Sequence, residues 1–327
     1  MKYIKVITIS AGLSGAGLIR DYLLSRKDFI SPFLTINEQS EFRFATDPGG
    51  LTSLYNGFYK EFSINNSAYV WDQFNIYINN LKKFSYLENG KKKFLYKKNF
   101  FREIEKFKKK IVKVTYYGLP QFYRLNFNLK KRIFWKITNK FKSAQESKFF
   151  SMVIPVDEKI FITEATKLIQ RLIYLNSKSK NKHCVIDQGG NFFRPISSTK
   201  FFSNRKVVLI TRDPRSIFSS MKTRQSLAYP GHNVDVFIKW YKEVMKQFEN
   251  IKANKDIIKI KYENFLLNHE KESKRLTKFI GIKNFLSSYD LNSSKKNLFK
   301  AKEFLSKKEI KKIKQNLKKY LQWPKGT

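Results

Sequence analysis

The feature that most constrains this chain stands at its beginning. An alternating, β-branched run, Tyr3-Ile4-Lys5-Val6-Ile7-Thr8-Ile9, passes through Ser10-Ala11-Gly12-Leu13-Ser14-Gly15-Ala16-Gly17 into a pattern that puts Leu18, Ile19, Tyr22 and Leu23 on one helical face. The same strand-to-helix change recurs later. Apolar strands are expected at His183–Asp187, at Lys206–Thr211 and at Ile257–Tyr262, and amphipathic helices at Lys159–Ser177, Val234–Ile251 and Glu270–Ile280, the last ended by Gly281. Near-continuous apolar strands alternating with helices predict an α/β fold with a mostly parallel central sheet and flanking helices. A further extended stretch is expected at Glu41–Thr46, closed by the turn Asp47-Pro48-Gly49-Gly50.

Between about 74 and 150 the pattern changes to lysine- and aromatic-rich, mostly helical sequence with a break near Gly118-Leu119-Pro120. This reads as a lysine-rich helical insertion or lid, with its aromatics turned inward, in a single domain spanning 1–327. The chain carries 66 Lys+Arg against 26 Asp+Glu, a net charge of +40, and the excess is uneven. Residues 82–148 hold 21 basic and 4 acidic side chains, and residues 295–325 hold 12 and 2. Such an excess suits a nucleic-acid or anionic membrane surface; compositional drift toward Lys, Asn, Ile, Phe and Tyr accounts for it equally well. With 42% hydrophobic and 16% aromatic residues the chain is no disordered basic tail. It has no apolar run long enough to span a bilayer and no signal-peptide pattern at its start. A lone cysteine, Cys184, leaves no intramolecular disulfide and no cysteine-ligated metal, and the default compartment is the cytoplasm.

Two places are shaped for anions. The first is the loop Gly12–Gly17, where glycines permit close backbone approach, Ser14 adds a hydroxyl, and free N–H groups meet the positive end of a helix. Leu18-Ile19 stand where a nucleoside triphosphatase loop needs Lys-Ser/Thr, and the glycine order is not that of a dinucleotide fold. The missing lysine argues against a nucleotide kinase. The second is Val207–Thr211 followed by Arg212-Asp213-Pro214-Arg215, where Arg212 ends a strand and Ser220 lies about one and a half turns into the next helix. These two side chains can converge on one anion; the plainer reading is an Arg–Asp ion pair with a helix cap.

The segment VVLITRDPRSIFSS, with Arg212 and Ser220 at its ends of interest, resembles the 3′-phosphate-binding strand and helix of sulfotransferases that use 3′-phosphoadenosine 5′-phosphosulfate. ISAGLSGAGLIRDYLLSR is similar to that family's 5′-phosphosulfate loop, IIKIKYENFLLNHEKESKRLTKFIGI to its Y-E-D/N segment, and NSSKKNLFKAKEFLSKKEIKKIKQNLKKYL to its C-terminal nucleotide-side segment. The pieces fall in the family's order, with the middle insertion unmatched. The resemblance implies a P-loop-like nucleotide-binding fold and sulfuryl transfer from that nucleotide to a hydroxyl or amine of a glycan or other polar acceptor, without a metal. It assigns the donor site to Gly12, Ser14, Gly15, Ala16, Gly17 and Leu18, with Arg212 and Ser220 on the 3′-phosphate and Lys296 or Lys300 as further contacts. It implies no specific nucleic acid, and it leaves room for an anionic membrane surface or acidic polymer on 82–148.

One departure stands out: the family usually has Lys or Arg just before the loop's Ser-Gly, and this chain has Leu13, so either another cation, such as Arg20 or Arg43, takes over, or catalysis is slow or lost. A general base for the acceptor is expected among Glu41, Asp187 (followed by Gln188 where relatives often have Lys) and His232. His183 and His269 have no such placement, and Cys184 is expected to pack beside a strand.

Overall fold

The computed structural model describes residues 3–32, 43–88, 91–94, 98–118, 127–141, 150–175, 181–224, 228–283, 289–296, 298–299 and 301–323. The chain divides into two compact units, Met1–Phe42 with Asn176–Thr327, and Arg43–Leu175. Strands are numbered in chain order: β1 Lys5–Ser10, β2 Phe29–Ile30, β3 Ser85–Glu88, β4 Lys91–Phe94, β5 Val112–Gly118, β6 Phe150–Pro155, β7 His183–Asp187, β8 Arg205–Thr211 and β9 Ile257–Lys261.

In the first unit five strands form one parallel sheet in the order β2-β7-β1-β8-β9. β1 is central: Ile7 stands opposite Ile186 of β7 on one side and Val207 of β8 on the other. Every residue of β1 is buried, which explains an apolar run on both faces of the sheet. Even Lys5 is buried, its Nζ donating to Ser203 Oγ at 3.2 Å. The helix Ala16–Leu24 lays Ala16, Leu18, Ile19, Tyr22 and Leu23 into a core with Val6, Val185, Val208, Ile258 and Phe265. Each such side chain contributes ~1.5–3 kcal/mol through removal from water.

From β1 the chain runs toward the β2 edge, and from β8 toward the β9 edge. The carboxyl ends of these neighbouring strands therefore open away from each other, the point at which open parallel sheets bind ligands. Both anion-shaped segments begin there.

Several expected boundaries shift for local reasons. The strand ends at Lys261, because Tyr262 already opens the short helix Tyr262–Leu267. The helix Val234–Asn250 starts where Asn233 Oδ1 accepts from Asp235 N at 2.8 Å and Val236 N at 3.1 Å. The helix His269–Ile280 ends on Gly281, whose φ of 83° is the left-handed cap that glycine permits. The basic C-terminal stretch is three short helices, Leu291–Lys295, Ala301–Phe304 and Lys307–Asn316; the last begins with a capping box between Ser306 and Glu309.

In the second unit the expected strand at Glu41–Thr46 is corrected. Glu41 lies outside the described residues, and Arg43–Ala45 is a 3-10 turn. Phe44 turns inward there, its ring edge-on to Phe100 at 5.8 Å. The lysine-rich stretch is not purely helical either. Helices Ile64–Lys83, Lys98–Ile111 and Leu129–Phe141 alternate with two antiparallel pairs, β3-β4 and β5-β6. The alternation in Val-Lys-Val-Thr-Tyr-Tyr across β5 is the strand signal that the lysine content obscures. Of the aromatics expected to turn inward, Phe74, Phe100 and Phe107 are buried, but Phe84, Tyr116, Tyr117 and Phe134 are exposed. The few acids act as internal clamps: Glu103 meets Arg171 Nε at 2.7 Å, and Glu164 meets Lys167 at 2.7 Å and Lys110 at 3.1 Å.

Candidate functional site

The loop after β1 is shaped by two close approaches. Gly12 (φ 50°) lies against Tyr229, whose Cε1 is 2.7 Å from where a Cβ would stand; Gly15 (φ 83°) lies against Tyr262, with Cδ2 at 2.4 Å from the same point. No L-side chain fits either place without a shift. Ser14 is buried, and its hydroxyl donates to the carbonyls of Ala11 at 2.9 Å and Gly12 at 3.2 Å. The hydroxyl expected as an anion donor therefore braces the loop from inside. What the loop presents is backbone: the helix Ala16–Leu24 begins at Gly15 with no side-chain cap, so the N–H groups of Ala16 and Gly17 and the helix's positive end have no side-chain acceptor there.

At the second switch the plainer sequence reading is realised by a different arginine. Arg215, not Arg212, pairs with Asp213, through Nε to Oδ1 at 2.8 Å and Nη2 to Oδ2 at 2.7 Å. Asp213 also caps the helix Pro214–Thr223 by accepting from Arg215 N at 2.9 Å, and it accepts from Gln322 N at 2.8 Å and Trp323 N at 3.2 Å. The Arg215 guanidinium stacks 3.7 Å from the Trp323 ring centroid, and Trp323 Nε1 donates to Ser216 Oγ at 3.2 Å. A buried knot thus ties the C-terminal segment to the end of β8.

Arg212 is left out of that knot. Its guanidinium lies 4.6 Å from the centroid of the Tyr262 ring, the ring that also packs on Gly15. Its own carbonyl accepts from Tyr241 Oη at 3.0 Å, which fixes the backbone. Tyr262 therefore joins the phosphate-shaped loop to the strand-end arginine. Beside it Glu263 is fully buried, Oε1 accepting from Asp213 N at 3.0 Å; burial pushes its carboxyl up to about 7. Ser220 Oγ donates to Ser216 O at 2.9 Å, an ordinary intrahelical bond. Lys296 is exposed just after the helix Leu291–Lys295. Two residues on, the Leu298 carbonyl accepts from Ser216 Oγ at 3.2 Å, which brings this segment to the start of the helix Pro214–Thr223. Lys300 lies outside the described residues.

The base candidates separate. Glu41 lies outside the described residues, as does the Arg43 side chain. His232 is exposed in the turn before Val234–Asn250. Asp187, buried at the end of β7, accepts from Thr8 Oγ1 at 2.7 Å, and its Oδ2 stands 3.7 Å from Arg20 Nη1. Burial pushes the Asp187 carboxyl up, while Thr8 and Arg20 pull it back. Gln188 accepts from Ser10 N at 3.3 Å and donates to Ser10 Oγ at 2.6 Å, so it closes the end of β1. His183 accepts from Ile4 N at 3.1 Å and His269 packs edge-on to Tyr22 and Phe265; both are structural. Cys184 is fully buried and its thiol pushed up, hence inert. Sequence reasoning missed Tyr262 and Tyr229 as loop partners. Tyr262 stood inside a segment already singled out, next to Glu263, and Tyr229 three residues before the candidate His232, but nothing local says that a tyrosine ring will lie on a glycine far away in the chain.

Among the described residues no group of three or more His, Cys, Asp and Glu is arranged to hold a metal ion, and no helix is long and apolar enough to cross a membrane. The family model described as "Sulfotransferase family" matches residues 156–285, a stretch that includes Asp187, Arg212, Ser220 and Tyr262 and leaves out the Gly12–Gly17 loop. The resemblance read from the sequence and this match agree. A "Putative protein-tyrosine sulfotransferase" of Caenorhabditis briggsae is 25% identical over 132 residues, 39% of this chain and 46% of that protein, so the chain spans less than half of that relative's length. Among solved structures, the sulfotransferase domain from the curacin biosynthetic pathway is 14% identical with a TM-score of 0.41, covering 98% of each chain. Mouse sulfotransferase SULT7A1 complexed with PAP is 17% identical with a TM-score of 0.32, covering 46% of this chain and 70% of that one.

Proposed function

From a sulfotransferase-family segment at 156–285 we propose that this protein transfers a sulfuryl group from 3′-phosphoadenosine 5′-phosphosulfate to a hydroxyl or amine of a glycan or other polar acceptor. The observation that carries the reading is the meeting of Gly15 and Arg212 on the one ring of Tyr262. This supports reading the two anion-shaped segments, far apart in sequence, as parts of one site at the carboxyl end of the sheet. In this reading the N–H groups at Gly15–Gly17 hold the 5′-phosphate and the sulfuryl bridge. Arg212 and Ser220 hold the 3′-phosphate, and Lys296 or Lys300 adds charge from the C-terminal segment. The chemistry asks of the protein mainly positioning and the neutralisation of spreading charge, as in phosphoryl transfer. Of the base candidates, Asp187 is already engaged by Thr8 and Arg20, which leaves Glu41 and His232 for the acceptor proton.

The test is nucleotide selectivity. 3′-Phosphoadenosine 5′-phosphate should raise the melting temperature well above the shift given by adenosine 5′-phosphate, and Arg212→Ala should erase most of the difference. Equal shifts from the two nucleotides in the unaltered protein would remove the 3′-phosphate site from the account.

A second, compatible reading concerns the basic unit. The helix Leu129–Phe141 exposes Leu129 (74%), Ile133 (50%), Phe134 (63%) and Ile137 (54%) beside Lys130, Lys131, Arg132 and Lys136. An exposed apolar stripe flanked by cations suits the headgroup region of an anionic bilayer, where it would bring the enzyme to a lipid-linked acceptor. Phosphatidylserine-containing vesicles should sediment the protein, neutral vesicles should not, and Phe134→Asp should abolish the difference; retention by Phe134→Asp would refute it.

A further inference from the structure

We propose that Arg20 is the catalytic cation of the 5′ side of the donor site, held in place by Asp187 as a positioning residue. The proposal rests on the sulfotransferase reading and extends it to a residue in the helix that follows the loop. From Ser10 through Ile19 the chain has no Lys or Arg, so an anion on the loop would meet backbone N–H groups and no charged side chain of the loop itself. Arg20 is the first cation after the loop. Side chains of an α-helix lean toward its N-terminus and cover the preceding turn. The Arg20 guanidinium does so here: Nη2 is 3.6 Å and Cζ 3.9 Å from the point where a Cβ on Gly17 would stand. A Cβ there would be in ordinary van der Waals contact, so the guanidinium lies directly beside the last glycine of the loop.

Two acids among the described residues orient the arginine. Its Nε donates to Asp21 Oδ1 at 2.7 Å, and its Nη1 faces Asp187 Oδ2 at 3.7 Å. Asp21 is 44% exposed at its side chain, so water screens that pair. Asp187 is different. It is buried, it accepts from the Thr8 hydroxyl at 2.7 Å, and its backbone is locked opposite Thr8 in the β1–β7 register. The carboxylate is thus a fixed point at the carboxyl ends of the two strands that frame the loop, and it points the guanidinium toward Gly17. An Arg20–Asp187 contact of 3.7 Å is loose enough for an incoming phosphate to take the guanidinium as a charge-assisted partner.

In the transfer, the acceptor oxygen forms a bond to sulfur as the bond from sulfur to the bridging oxygen breaks. The acceptor's proton passes to the general base, and the electron pair of the broken bond stays on the 5′-phosphate of the departing nucleotide. Arg20 neutralises that added charge, which in this chain Leu13 cannot do. Asp187 takes no proton in this scheme.

The experiment is calorimetric binding of two ligands, 3′-phosphoadenosine 5′-phosphate and adenosine 3′-phosphate, which differ only in the 5′ group. For Arg20→Gln the first should bind about 10- to 100-fold more weakly, the loss of one charge-assisted hydrogen bond, and the second as before. Arg20→Lys should recover part of the loss, since it restores charge without the planar fork. Asp187→Asn should weaken the first ligand less than Arg20→Gln does, and the double variant should be no weaker than Arg20→Gln alone, because Asp187 acts through Arg20. A purely structural Asp187 would give additive losses on both ligands and would overturn its positioning role. Equal binding of the first ligand by the unaltered protein and Arg20→Gln, both folded by circular dichroism, overturns the role of Arg20 and leaves the sulfotransferase reading standing. If the unaltered protein binds neither ligand better than adenosine, the reading of the site fails and the proposal with it.

Discussion

Glu263 offers a direct test of how the two strand-to-helix switches are held. It is fully buried, Oε1 accepts from Asp213 N at 3.0 Å, and Oε2 has no hydrogen-bond partner among the described residues. Burial raises the carboxyl from its ordinary 4.5 to about 7; the Asp213 N–H pulls it down, the Asp213 charge pushes it up and Arg212 pulls it down. A carboxyl raised in the folded state stabilises the fold in its neutral form. That contribution is complete below the unfolded value of 4.5 and is lost as pH rises through about 7. At 1.36 kcal/mol for each pH unit, the gap corresponds to ~3 kcal/mol of stability lost between acid and mildly alkaline pH. Glu263→Gln keeps the shape and the acceptor for Asp213 N but cannot ionise. Urea unfolding of both proteins at pH 5 and pH 8 should show Glu263→Gln gaining on the unaltered protein by ~2.5 kcal/mol at the higher pH, since part of the loss has already occurred at pH 5, whatever fixed cost the amide carries at both. A difference between the two proteins that is the same at both pH values would refute the reasoning, because the carboxyl would then be ionised throughout.

Gly15→Ala should cost ~2–4 kcal/mol, combining a left-handed backbone for an L-residue with a Cβ placed 2.4 Å from Tyr262 Cδ2. In a Tyr262→Ala background the same change should cost only the backbone share, ~1–2 kcal/mol, and chemical denaturation of the four proteins measures this directly. Trp323→Ala removes the ring over Arg215 and the donor to Ser216 Oγ, and should destabilise by ~3 kcal/mol in the same assay. A loss under about 1 kcal/mol would mean that the C-terminal segment is not part of the knot at Asp213.

The net charge of +40 dominates the composition, yet only a few of the 66 basic side chains, Arg20, Arg212 and Arg215, stand at the candidate site, among glycines, tyrosines and the buried carboxyls of Asp187, Asp213 and Glu263. The surplus lies instead in the lysine-rich stretch and in the C-terminal helices, where the scarce Glu309 pairs with Lys222 of the helix Pro214–Thr223 and Lys312 pairs with Asp235. Surface pairs of this kind add little stability, so the fold does not account for the charge.

The sequence by itself determined the elements whose causes are local. β1, the glycine loop and the face of Ala16–Leu24 follow from periodicity and φ-permissive glycines. The helix Glu158–Ile173 follows from its apolar spacing, Val234–Asn250 from that spacing and its Asn233 cap, and His269–Ile280 from the left-handed Gly281. The strand at Glu41–Thr46 failed because Phe44 is pulled into an aromatic cluster with Phe100, a demand that alternation cannot register. Tertiary structure alone decided three things. It set β1 between β7 and β8, so that the two loops share one end of the sheet. It chose Arg215 over Arg212 as the partner of Asp213: two arginines flank that aspartate in sequence, and Trp323 takes the guanidinium of one of them. It brought Tyr262 onto Gly15 and Arg20 opposite Asp187. Apart from the Asp213–Arg215 pair itself, which Trp323 selects from afar, these contacts join residues far apart along the chain, where no helical or strand period couples them, and only tertiary packing brings them within reach.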